Sequence, residues 1–181
     1  YPLPGSIKRR RSVCLVSLCT GGYFWLRIVG STPGQLAGHH WMMVLCSAAL
    51  FIGGLAAAMS HSWAPAWPFL LLGEVASLVL APLLDPAAGN VVAWAIVVNL
   101  ALSLALIHTD DQVGDRLEMT RWSRLPGAIG LISLVGWPLT LGFTAHWSYL
   151  MLCWSAGLPG LALLASLSYL LGSVPMWQRL R

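Results

Sequence analysis

The strongest constraint on this chain is a set of six long stretches that carry almost no charge: Val13–Val29, Trp41–Met59, Trp67–Leu84, Val91–Ile107, Pro126–Cys153 and Gly157–Val174. Each is too long for a buried strand, and their leucine, alanine and valine content favours helix. Crossing a bilayer takes about 20 predominantly apolar residues, which is the length around which the stretches cluster. Charged residues make up 9% of the chain, against about 25% in a soluble domain, too few to coat a water-exposed surface. The alternating segments of about ten residues that mark a membrane barrel are absent. The expectation is an all-α integral membrane protein of about six transmembrane helices. Pro65, Pro68, Pro82 and Pro86 bracket the third stretch and make it the least regular.

The basic residues test this count. With six crossings and a cytoplasmic N-terminus, the cytoplasmic segments hold Lys8, Arg9, Arg10 and Arg11, then Arg116, Arg121 and Arg124, then Arg179 and Arg181. Of the 10 Lys and Arg residues only Arg27 falls on the other side. That is the asymmetry expected when positive charge resists translocation, and five or seven crossings would scatter it. The organisation that follows is a basic cytoplasmic segment at 1–12, a transmembrane helical domain at 13–174 with a cytoplasmic loop at 108–125, and a cytoplasmic tail at 175–181. The expected setting is a bacterial inner membrane, with both termini in the cytoplasm. "KRRR" directly before an apolar span reads as a membrane anchor and not as a nucleic-acid patch, so no nucleic-acid partner is expected. It also resembles the charged start of a signal peptide, but there is no clear small-residue cleavage site and the span continues through Tyr23, Phe24 and Trp25.

Cys14, Cys19, Cys46 and Cys153 fall inside spans without a CxxC pair, so neither zinc nor a disulfide framework is signalled. Trp41, Trp63, Trp67 and Trp177 lie near span ends, where an amphipathic ring is favoured, whereas Trp94, Trp137 and Trp154 lie deeper. An ionisable group in hydrocarbon is costly and marks a functional candidate. Asp110, Asp111, Asp115 and Glu118 belong to the polar loop and Asp85 to a span end, which leaves Glu74 as the one intramembrane acid. It is a candidate for proton relay, or else a hydrogen-bonded group that fixes helix packing. His39, His40, His61 and His108 sit at span ends.

His146 differs, because it follows "GWPLTLGF", where Gly136 and Pro138 interrupt a long apolar helix. Proline removes one backbone donor and clashes with the preceding turn, so Pro126–Cys153 is expected to break near Gly136–Pro138. In a membrane such a break survives where protein or water satisfies the freed carbonyls. His146, Thr140 and Thr144 are the candidates for that task, and together with Glu74 they form a candidate proton path. Counting helical turns from Pro138 to His146 places both on nearly the same face, expected to point into protein, with Gly136 and Gly142 allowing close backbone approach.

"RLPGAIGLISLVGWPLTLGFTAHWSYL" resembles the late broken helix of the antiporter-like subunits of respiratory complex I and of the related sodium/proton antiporters and membrane-bound hydrogenases. Leu125 and Pro126 match the start of that family's pattern, Gly136, Pro138, Gly142 and Phe143 match its break, Leu139 replaces a second proline, and His146 stands where the family has lysine. "TGGYFWLR" resembles an earlier family stretch through Gly21, Tyr23 and Arg27, and in "SHSWAPAWPFLLLG" only Gly73 is retained, with His61 at a lysine position. The resemblance implies a truncated, divergent relative that corresponds to part of the second half of an antiporter-like subunit. It also implies a disabled central channel. The family's titratable pair of the middle helix falls at Asn99 and Ser103, and neither side chain changes protonation near neutral pH.

Three functional readings follow. The first is a structural or accessory subunit of a larger membrane energy-transducing, electron-transfer complex, surrounded by lipid and other membrane subunits. The second is one part of a split proton channel that uses His146 and Glu74. The third is an accessory subunit that holds a pigment or haem through histidine. No catalytic constellation or metal cluster is visible in the sequence, and it assigns no cofactor.

Overall fold

The computed structural model describes residues 17, 20–28, 40–60, 63–113 and 125–180. Among these the chain is all-helical, without a strand. A helical stretch at 20–28 (α1) precedes α2 (His40–Met59), α3 (Trp63–Leu84), α4 (Ala88–Val113), α5 (Leu125–Leu134), α6 (Leu141–Ser155) and α7 (Pro159–Leu180). Three segments, His40–Met59, Ala66–Leu84 and Ala88–Ile107, are long and apolar enough to cross a membrane, while Leu125–Leu134 and Pro159–Pro175 are apolar but shorter. The helices carry no polar face. Their outward rows are apolar instead, with Val44, Leu45, Ile52 and Met59 exposed on α2 and Leu163, Leu167 and Leu170 on α7. Apolar side chains exposed over several helices are the mark of a surface that does not face water, and the chain has the build of a helical membrane protein.

The helices form two groups. α2 packs on α3 and α7, α4 packs on α5 and α6, and the contact of α3 with α4 joins the groups. Adjacent glycines in α2 make the first group possible. Gly53 faces the α3 backbone at Phe69 and Gly73, and Gly54 faces the α7 backbone at Ser168. One turn of helix thus meets two neighbours at once, since small residues let backbones approach. Ser168 Oγ completes the α2–α7 contact by donating to the Leu50 carbonyl at 2.6 Å. α1 lies over α3 and α4, with Gly22 against Leu78 and Val97 and Tyr23 edge-on to Trp94.

Local chemistry sets most ends. Asp85 accepts from the backbone N–H groups of Ala87 and Ala88 at 2.8 and 2.9 Å and caps α4, with Pro86 at the first position, where its missing donor costs nothing. Gly157, at φ 74°, ends α6 with Gly157 N–H to Trp154 and Leu158 N–H to Cys153, the paired bonds of a glycine-terminated helix. Pro159 then opens α7. Two expected boundaries shift: α4 continues past Ile107 to Val113, into the expected loop at 108–125, and α7 runs through the expected tail to Leu180 with Pro175 inside it. The segment 1–12, Cys14, Cys19, His39, His61 and the basic residues Arg116, Arg121 and Arg124 lie outside the described residues. Cys46 and Cys153 are free thiols.

Candidate functional site: a broken helix between two polar clusters

The fifth expected span is two helices. α5 ends at Leu134, α6 begins at Leu141, and Gly136 causes the stop. At φ 76° Gly136 takes a left-handed backbone conformation, and its N–H bonds to the Ser133 carbonyl at 3.0 Å while that of Trp137 bonds to Ile132 at 3.1 Å. That pair of bonds caps a helix C-terminus. Pro138 comes after the stop and starts the next feature, a tight turn closed by Thr140 N–H to the Trp137 carbonyl at 3.2 Å. Leu139 occupies the turn position that requires positive φ, at 71°, where glycine is usual. Thr140 then caps α6: its Oγ1 accepts from Phe143 N–H at 3.3 Å and donates to the Trp137 carbonyl at 2.6 Å.

Depth follows from what the break touches. Glu74 sits near the middle of the apolar segment Ala66–Leu84 and Asn99 near the middle of Ala88–Ile107, and both reach the break. His146 of α6 meets Glu74 of α3 with Nε2 2.6 Å from Oε1, both residues being about 95% buried (5% and 4% exposed). Tyr169 of α7 stacks on the imidazole, ring centroids 3.9 Å apart and 9° from parallel, and its hydroxyl shares a 2.8 Å hydrogen bond with Ser77, whose Oγ also donates to the Gly73 carbonyl. A Cβ at Gly136 would overlap the His146 ring, so this glycine ends one helix and also makes room for the imidazole of the next. A cavity of about 20 Å³ lies beside the pair, lined by Gly54, Glu74, His146, Ser168 and Tyr169 among others. The second carboxylate oxygen, Oε2, has no hydrogen-bond partner among the described residues. A space of this size holds one water molecule.

The other cluster joins α4, α5 and α6. Asn99 Oδ1 accepts from Ser133 Oγ at 2.8 Å and from Ser103 Oγ at 3.4 Å, and Ser133 Oγ in turn accepts from Gly142 N–H at 3.3 Å. Asn99 and Ser103 are fully buried. A Cβ at Gly142 would overlap the Ser133 carbonyl, and one at Gly130 would press on that of Ser103, so both halves of the broken helix lie against their neighbours at glycine.

Several candidates take other places than expected. His146 satisfies Glu74 and not the carbonyls at the break; Thr140 serves one of those, that of Trp137. Thr144 is exposed on the outer face and joins neither cluster. Pro138 is exposed while His146 is buried, so the two do not share a face: the break is a six-residue connection, and helical phase does not carry across it. Phe143 is half-exposed and stacked on Trp147. Gly73 lies at the α2–α3 contact, Gly21, Tyr23 and Arg27 lie on the exposed side of α1, and Leu125 and Pro126 form the first turn of α5. Trp94 and Trp154, expected deeper in their spans, are exposed outward. His146 engages Glu74 through Nε2, and the Nδ1 side of its ring lies against Gly136. Sequence reasoning missed Tyr169, Ser77, Ser133 and Ser168. Their one signal is a hydroxyl inside an otherwise apolar helix, which many serines share. No family model, curated protein or solved structure matches the chain.

Proposed function

We propose that this chain is an integral membrane subunit of a larger energy-transducing, electron-transfer assembly, with six crossings and both ends cytoplasmic in a bacterial inner membrane. In this reading it is a truncated, divergent relative of the antiporter-like subunits and serves structure and assembly without a proton channel of its own. The observation that carries the reading is the chemistry at the centre of α4. Asn99 and Ser103 are spent holding the helix break through Ser133, and amide and hydroxyl groups do not change protonation near neutral pH. A proton at Glu74 therefore has no titratable successor at the centre of α4, whose His108, Asp110 and Asp111 lie toward its C-terminal end. Reconstituted into liposomes with an internal pH dye, the chain should pass protons no faster than empty liposomes under an imposed potential. Flux abolished by Glu74→Gln would overturn the proposal.

A second reading, one part of a split proton channel, is favoured by a different observation: Glu74 Oε2 is buried, without a partner among the described residues and beside a water-sized cavity. It requires other subunits to supply the onward groups. Flux present only in the complete assembly and lost with either Glu74→Gln or His146→Ala would select it over the structural reading.

A further inference from the structure

We propose that the outer side of the helix break is a docking surface for a transmembrane helix of another subunit, one that presents a hydrogen-bond donor to the carbonyls of Pro138 and Leu139. The proposal deepens the subunit reading and rests on it. The break lies at the level of Glu74 and Asn99, in the middle of two membrane-length segments. Pro138 is exposed there and Leu139 entirely so. No donor among the described residues reaches either of their carbonyls. Irregular backbone at this depth is tolerated only where protein or a water-filled cavity covers it. The exposed neighbours are mostly apolar, Leu141, Phe143 and the ring of Trp147, with the Thr144 hydroxyl and the Trp147 indole N–H as their polar groups. Such a surface favours protein cover over a water-filled cavity.

Two features define what fits. The C-terminal end of α5 carries the negative pole of its dipole and points into the break, so the free carbonyls sit in a field that favours a donor or a cation. A serine, threonine, amide or lysine on an apolar helix meets that need. Leu139 supplies the second feature. It holds a positive φ that a leucine adopts only at a cost, and it places its whole side chain outside the molecule. Strain kept at an exposed position points to a use for that side chain, and a leucine projecting from an acceptor-rich turn is a knob for a neighbouring helix.

The test separates docking from folding. Glycine relieves the backbone at positive φ, so Leu139→Gly keeps or improves the folded yield while removing the knob. The co-purifying partner should then fall by about tenfold, the size expected for truncating a central contact residue. In parallel, the photo-crosslinking residue p-benzoylphenylalanine is placed at position 139 of the full chain in native membranes, and at the equally lipid-ready position 163 as control. The expected product at 139 joins one membrane protein through an apolar span, within a turn of a Ser, Thr, Asn, Gln, Lys or Arg whose replacement by Leu removes the adduct. Adducts with lipid alone, with another segment of this chain or with a second copy would overturn the proposal, as would a Leu139→Gly variant that retains its partner. If the chain purifies as a monomer in mild detergent, the subunit reading itself fails. If it purifies in a larger complex while position 139 meets only lipid, the docking surface alone fails.

Discussion

The Glu74–His146 cluster and the Asn99–Ser133 cluster lie at the same depth on either side of α6, yet they hold the broken helix by different means. The first joins α3, α6 and α7 through a short contact between two ionisable groups, backed by a stacked tyrosine. The second joins α4, α5 and α6 through an amide and hydroxyls that stay neutral. A neutral network gains little per bond, because the unfolded chain in a membrane also finds partners. A paired carboxylate and imidazole gain little as a pair, but either one left alone is expensive. The contrast separates strength from consequence: the ionisable cluster is the one whose halves cannot be removed singly.

The largest expected effect tests that asymmetry. His146→Ala should cost about 3–5 kcal/mol by stranding Glu74, read as a lower midpoint of thermal unfolding in detergent. Replacing both Glu74 and His146 by leucine should recover most of the loss, since apolar substitutes for a buried pair are often neutral. Equal losses for the single and double variants would break the comparison. Next is Gly142→Ala, which forces a methyl onto the Ser133 carbonyl and should cost about 1–3 kcal/mol as overpacking does. Its effect should be additive with that of Glu74→Gln if the two clusters are independent, whereas coupling above about 0.5 kcal/mol would show α6 transmitting between them. The smallest effect is expected for Ser133→Ala, about 0.6 kcal/mol for each of the two bonds that its hydroxyl makes, typical of bonds between membrane helices. A loss as large as that of His146→Ala would place the main anchor of the break at Asn99 instead.

The break itself could be read from the residues, because Gly136 and Pro138 are local signals and helix termination is a local event. Within it Gly136 stops α5 two residues before Pro138, and the proline shapes the turn that follows. Glu74 and His146 were each singled out as rare ionisable groups inside apolar spans. Their pairing was not legible, because 72 residues separate them and only the packing of α3 on α6 brings them together. The positive φ of Leu139 had no signal at all, since leucine is a poor residue for it. That position also sets a limit on the family resemblance. Proline is held near φ −65°, so a chain with proline at position 139, as the resembling pattern has, could not make this turn.

The shortness of α5 carries a consequence for biogenesis. Its 10 residues rise about 15 Å, roughly half of the ~30 Å hydrocarbon core, so it cannot be threaded across the bilayer as a segment in its own right. Among the described residues its side-chain hydrogen bonds at that depth are those of Ser133 with Asn99 and Gly142, on elements made before and after it, and Gly130 packs it against α4. Delivery of α5 into the membrane must therefore wait for α6, which a three-residue connection ties to α7. The last third of the chain enters as one parcel. A lesion at Asn99 should accordingly surface as a protein that is synthesised, left half inserted and degraded, before any working property of the finished molecule can be assayed.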